Sequence, residues 1–299
     1  MTSQILTPVA RPLIGVAFML GAMASLPLID VFAKFLGQQD VPVLQIVWAR
    51  LGFGAVLTLP FALRYGGPKR LIPDRPIYHS FRAVFLIMAT FSFFLSLKFL
   101  PIADALAIFF VQPLVVTILS ALVLKERVGP RRWAAVAVGF VGTLIIIRPG
   151  LVALNPGSLL ALVAGTFLAI YFVMTRRISG QAPAMLTTFQ TNAVGALLLS
   201  CAMPVVWHVP SATQWLMFAG LGGIATFGHF LIVRAYDHAE ASLLAPLAYT
   251  EMVVATFVGW WFFGDFPDTY TFLGVAVLLG CAAYISLAER SRASDGEHP

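Results

Sequence analysis

Gln112 and Glu251 carry the chemistry that can be argued first, because each sits about ten residues into an otherwise apolar run of roughly membrane length. An ionisable side chain at the centre of a membrane helix costs about 2.5–3.5 kcal/mol, so it is kept where a partner or a water-filled cavity receives it. An amide and a carboxyl at this depth would contact a substrate amine or act as a proton-linked switch; the alternative is a hydrogen-bonded structural carboxyl between helices. Asp30 and Arg50 lie at matching depths in the first two runs, so an ion pair is expected, serving as a clip, a gate or a carboxylate site. Gln45, Gln190 and Asn192 add uncharged hydrogen-bonding groups that would serve a cavity or helix packing equally well. Trp48, Tyr171 and Tyr249, with Phe189 and Trp260, would line an apolar part of a pocket or simply pack. His229 is either a titratable group or a satisfied core histidine. Lys34, Arg82, Lys98, Arg176 and Arg234 lie near run ends and are expected to snorkel to the interface.

The elements that must position these residues follow from composition. The 299 residues are 60% hydrophobic and 11% charged, with a mean hydropathy of +0.90. That leaves too little polar surface to cover a water-soluble globule, and the runs are too long for membrane strands. An all-α integral membrane protein is expected, with ten transmembrane helices at 13–36, 42–63, 77–99, 102–124, 132–147, 157–177, 184–206, 213–236, 241–263 and 269–288. The first run lacks the cleavage signature of a removed signal peptide.

The N-terminus, the loops after runs two, four, six and eight, and the tail together hold 14 Lys and Arg, whereas the opposite loops hold Lys34, Lys98 and Arg148. Positive charge concentrates on the cytoplasmic side, so both termini are expected there. The net charge of +6 is a matter of loop placement, and no nucleic-acid partner is expected. Cys201 and Cys281 fall inside apolar runs and are expected to be buried and unpaired.

The chain also repeats itself. Residues 89–105, ATFSFFLSLKFLPIADA, match 225–241, ATFGHFLIVRAYDHAEA, at seven of 17 positions. Residues 41–55 align with 182–196, sharing Pro42/Pro183, Gly54/Gly195 and Ala55/Ala196, and 124–138 align with 263–277. Two homologous halves are expected, 13–150 and 151–288, between termini at 1–12 and 289–299. Five crossings per half is odd, so the halves would enter from opposite sides as inverted repeats around a central cavity, an arrangement found in secondary transporters. Gln112 and Glu251 become symmetry mates. The aligned acids Glu126 and Asp265 are expected to cap or tether the helix that follows each. The small residues of runs five and ten would support each half or form a dimer contact.

The sequence contains no HExxH, GxSxG, Gly-rich phosphate loop or metal-spaced Cys/His cluster, so no catalytic residue, metal or cofactor is expected and the chain is read as a non-enzyme. Its expected partners are a small-molecule substrate and membrane lipids, and no oligomer is required.

The two-halved pattern, the acid at Glu126/Asp265 and the segment PIADALAIFFVQPLVVTILSALVLKERVGPRRW resemble the EamA family of the drug/metabolite transporter superfamily, over essentially 13–287. The segment PLIDVFAKFLGQQDVPVLQIVWAR is similar to a bacterial subgroup that includes uptake members. The resemblance implies a helical basket lined by helices 1–4 and 6–9, with amino acid exporters and riboflavin or S-adenosylmethionine uptake systems among its members. The leading expectation is an inner-membrane exporter of aromatic or hydrophobic amino acids or similar small metabolites, working by alternating access. Proton-coupled drug antiport, uptake of riboflavin or a related metabolite, and a non-transporting scaffold stand beside it.

Overall fold

Proline decides where the helices of this chain are interrupted. Pro27, Pro113 and Pro246 each lack the amide that continues a helix, and each begins a new segment within an apolar run. The computed structural model describes residues 12–68, 71–99, 102–147 and 156–264, with parts of 269–284. Among the described residues it is all-helical, with no strand.

The first run is α1 (Pro12–Ser25) and α2 (Pro27–Gly37), broken at Leu26. Then come α3 (Val43–Gly66) and α4 (Pro76–Ser96). The fourth run divides into α5 (Ile102–Phe109), α6 (Gln112–Leu119) and a π turn, Ser120–Leu124, ended by Lys125 at φ 56°. Helices α7 (Pro130–Ile147), α8 (Pro156–Arg177), α9 (Ala184–Ser200) and the short α10 (Met203–Val206) follow. Helix α11 (Ala212–His238) starts in a capping box between Ser211 and Gln214. The ninth run divides into α12 (Ala241–Leu244), a 3-10 segment Ala245–Tyr249, and α13 (Thr250–Phe263). The tenth expected helix falls largely outside the described residues, as does Asp265.

Five spans are long and apolar enough to cross a membrane: Pro12–Gly37, Val43–Arg64, Pro76–Ser96, Pro156–Arg177 and Ala212–His238. The most extensive packing joins distant parts of the chain, α4 with α8, α3 with α9 and α1 with α11. Glycines allow the close approaches. A Cβ at Gly222 would lie 2.5 Å from that of Phe53, and one at Gly165 would lie 2.3 Å from the Phe109 carbonyl oxygen.

Three expectations are corrected here. Arg82 does not snorkel; it is fully buried, donating to the Thr187 carbonyl at 3.0 Å, to Thr175 Oγ1 at 3.3 Å and to Thr191 Oγ1. Glu126 reaches beyond the helix that follows it. The left-handed turn at Lys125 carries its carboxylate across to α12, where Oε1 accepts from the Ala241 amide and from Arg176 Nε, both at 3.2 Å. Arg176 is thereby held inside the bundle. Cys201 is exposed and Cys281 buried, both as free thiols.

Candidate functional site

The interruptions in three helices converge on one place. Asp30 lies three residues after Pro27, Gln112 just before Pro113 and Glu251 five after Pro246, and all three side chains line a single cavity of about 70 Å³. Arg50 of α3, Thr90 of α4 and His229 of α11 complete its polar wall. Met23, Phe93, Phe94, Phe109 and Phe172 supply much of the rest. Gln112 opens α6 and Glu251 sits in the first turn of α13, so the positive ends of two half-helices face the cavity. Pro27 and Pro113 also remove the amides that would have bonded the carbonyls of Met23 and Phe109, two lining residues.

The charged groups are not paired as expected. Asp30 and Arg50 share the cavity but are not an ion pair within 4.0 Å among the described residues. Arg50 turns instead to Thr90 Oγ1 and to His229 Nε2, the latter 2.5 Å away. Guanidinium only donates, so His229 Nε2 accepts and the ring is a neutral tautomer protonated on Nδ1, 3.4 Å from the Tyr171 hydroxyl. His229 is thus a partnered histidine. Neither Asp30 nor Glu251 has an ion-pair partner among the described residues, while Arg50 Nε and Gln112 Nε2 are buried without a hydrogen-bond partner there. Two unpaired carboxylates and two spare donors around one space can hold the ammonium and carboxylate of a zwitterion.

The other candidates lie elsewhere. Tyr171 stands behind His229, edge-on to its ring. Tyr249 is fully buried against α7, where Gly139 leaves room for its ring and its hydroxyl donates to the Val136 carbonyl at 3.3 Å. Gln45 uses both ends of its amide on the His208 backbone, and Trp48 Nε1 donates to Ser200 Oγ at 2.9 Å. Asn192 donates to Thr226, and Gln190 lines a separate cavity near the start of α9. Phe189 packs in a small satellite cluster with Ala62 and Leu186, and Trp260 is 37% exposed. Thr90, Phe93, Phe94 and Phe109 were not singled out by sequence. The stripe Leu86, Ala89/Thr90, Phe93/Phe94 on α4 has the helical spacing that marks one inward face and would have found them.

Comparison with known proteins agrees with this architecture. A solved crystal structure of a protein superimposes with a TM-score of 0.75 at 22% identity, covering 93% of this chain and 97% of the other. The S-adenosylmethionine uptake transporter of Rickettsia prowazekii is 25% identical over 94% of this chain and 95% of its own length. The riboflavin transporter of Vibrio cholerae is 27% identical over 94% and 96%, and the pseudopaline exporter of Pseudomonas aeruginosa 25% over 81% and 86%. The EamA-like transporter family model matches residues 13–148 and 155–287. A multi-pass membrane chain matched over almost its whole length in this way belongs to the EamA-like transporter family.

Proposed function

We propose that this protein is an alternating-access carrier for small zwitterionic metabolites of the amino-acid type that bear an apolar or aromatic group. The carrying observation is that one mid-bundle cavity holds Asp30, Glu251 and Arg50 beside a wall of phenylalanines. The ammonium goes to the carboxylates, and the carboxylate to Arg50 Nε, Gln112 Nε2 and the half-helix N-termini. The ring packs on Phe93, Phe94, Phe109 and Phe172.

Alternating access draws support from how the helices pair. Exchanging each run with its repeat partner turns the α1–α11 packing into α8–α4 and maps α3–α9 onto itself, as an inverted repeat of two five-helix halves requires. The excess of Lys and Arg supports a cytoplasmic location, at a bacterial-type inner membrane, for the end bearing Arg75, Arg132 and Arg177, with both termini on that side. Export of amino acids is the direction we favour for zwitterions made inside the cell; relatives named for uptake and for export occur at similar identity. Riboflavin uptake, the second reading, draws on the phenylalanine wall and on the Vibrio cholerae relative named a riboflavin transporter, and leaves the carboxylates without a role.

Counterflow in proteoliposomes tests the cargo without regard to direction. Labelled phenylalanine or S-adenosylmethionine is expected to exchange, and Glu251→Gln to reduce that exchange at least about ten-fold while the protein stays folded. Exchange of riboflavin alone, or full activity in folded Glu251→Gln, would overturn the assignment.

A further inference from the structure

A second cavity lies at the basic end of the bundle and shares no residue with the first. It measures about 320 Å³, against about 70 Å³ for the central one. Its walls are the segment 72–75 with the first turn of α4, and the segment 178–182 with the first turns of α9. Neither helix has a side-chain cap, the N-cap residues being Arg75 and Pro183; Leu186, in the first turn of α9, lines the cavity at that helix's positive end, while the His79 and Thr187 amides are already bonded to the Arg75 and Pro183 carbonyls. His79, 8% exposed, lines the cavity, and its Nδ1 has no hydrogen-bond partner. Arg75 lines it too, and Arg82 stands behind Thr187, holding that residue's carbonyl. Asp74 is the one acidic residue in the lining.

We propose that this cavity binds a phosphate group, held by the Arg75 and His79 side chains of the α4 end and the positive N-terminal end of α9 at Leu186. Helix N-termini and arginine are the groups that recognise phosphate most often, and a phosphate bearing both proton and lone pairs can satisfy His79 in either tautomer. A free phosphate and the headgroup of a phospholipid in the adjoining leaflet present the same chemistry to this cavity. Because α4 and α9 come from different halves of the chain, the ligand bridges the halves at this end and favours its closure. The site does not depend on which solute crosses through the central cavity.

The test uses the full chain in delipidated detergent micelles, with inorganic [32P]phosphate in equilibrium dialysis. Saturable binding is expected, weakened about ten-fold or more by Arg75→Gln and tightened by Asp74→Asn. Asp74 and Arg75 are both exposed, so neither change should disturb folding, which a melting curve checks. Glu251→Gln, in the other cavity, should leave phosphate affinity unchanged. Transfer to nanodiscs separates the sources: phosphatidylglycerol that blocks phosphate binding, where a phosphate-free glycolipid does not, identifies a headgroup, and undiminished binding identifies the free anion. No saturable binding in detergent, or equal affinity in folded Arg75→Gln, would overturn the proposal.

Discussion

The two ends of the seam between the halves are closed by different chemistry. At the basic end the closure is ionic: Glu126 takes Arg176 and the Ala241 amide, Arg132 pairs with Glu240, and Arg176 Nη1 donates to the Tyr236 carbonyl at 2.7 Å. At the opposite end the hydrogen bonds join neutral groups, and the charged contact is Lys34 Nζ, 3.7 Å from the centroid of the Phe263 ring. Gln45 and the His208 backbone exchange hydrogen bonds of 2.7 and 2.9 Å, Trp48 reaches Ser200 and packs edge-on against Trp207, and Gln214 donates to Gln39 at 3.0 Å. Apart from Arg176–Tyr236, which lies within the second half and holds Arg176 in place for Glu126, these contacts join residues below 150 to residues above it, so each of them must break if that end is to open. Screening by salt weakens partly buried ion pairs such as these less than exposed ones, and leaves amide and indole contacts largely alone. Ionic strength therefore acts on one end of this molecule more than on the other.

The largest effect should come from Arg82, which ties α4 to both α8 and α9 through threonines near the basic end. Arg82→Leu removes three buried hydrogen bonds that tie α4 to α8 and α9 and is expected to cost about 3 kcal/mol or more, read as a lowered melting temperature in detergent. A smaller effect is expected from Glu126→Gln. It keeps the shape but loses the charge, and should loosen the basic end by about 1–2 kcal/mol. Spin labels at Arg127→Cys and Gln181→Cys would report this as a broadened, longer distance, and 1 M salt should reproduce part of it in the wild type. An unchanged distance would show that the ionic contacts do not hold that end shut. The smallest effect belongs to Trp48→Phe, which keeps an aromatic ring against Trp207 and loses one hydrogen bond. A stability loss of about 1 kcal/mol or less, with no added salt dependence, is expected from thermal unfolding.

Hydropathy made depth legible and left rotation hidden. The fourth and ninth runs were expected at 102–124 and 241–263, the limits their helical segments reach. Gln112 and Glu251, singled out by their depth in these two runs, line one cavity. The internal breaks were not read, although Pro113 and Pro246 mark them, since an apolar window is blind to a missing amide. Asp30 and Arg50 were placed at the right level, but which way an arginine turns depends on partners from distant sequence, here Thr90 and His229. Arg82 looked like an interfacial residue because it lies six positions into α4. The threonine-rich stretch 187–191 on α9 was the signal that a buried guanidinium had somewhere to go. Tyr249 has the right depth for the cavity and the wrong azimuth, and only the packing of Gly139 against its ring reveals this.

The proline breaks have a mechanical consequence. Each interrupted run is two short rods joined at the level of Asp30, Gln112 or Glu251, so torque applied at one end is absorbed at the joint before it reaches the other. The outer rod of such a pair can swing while its inner rod keeps its packing, and the pivot coincides with the contacts proposed for the cargo. Cargo that straightens or bends a joint works the lever directly.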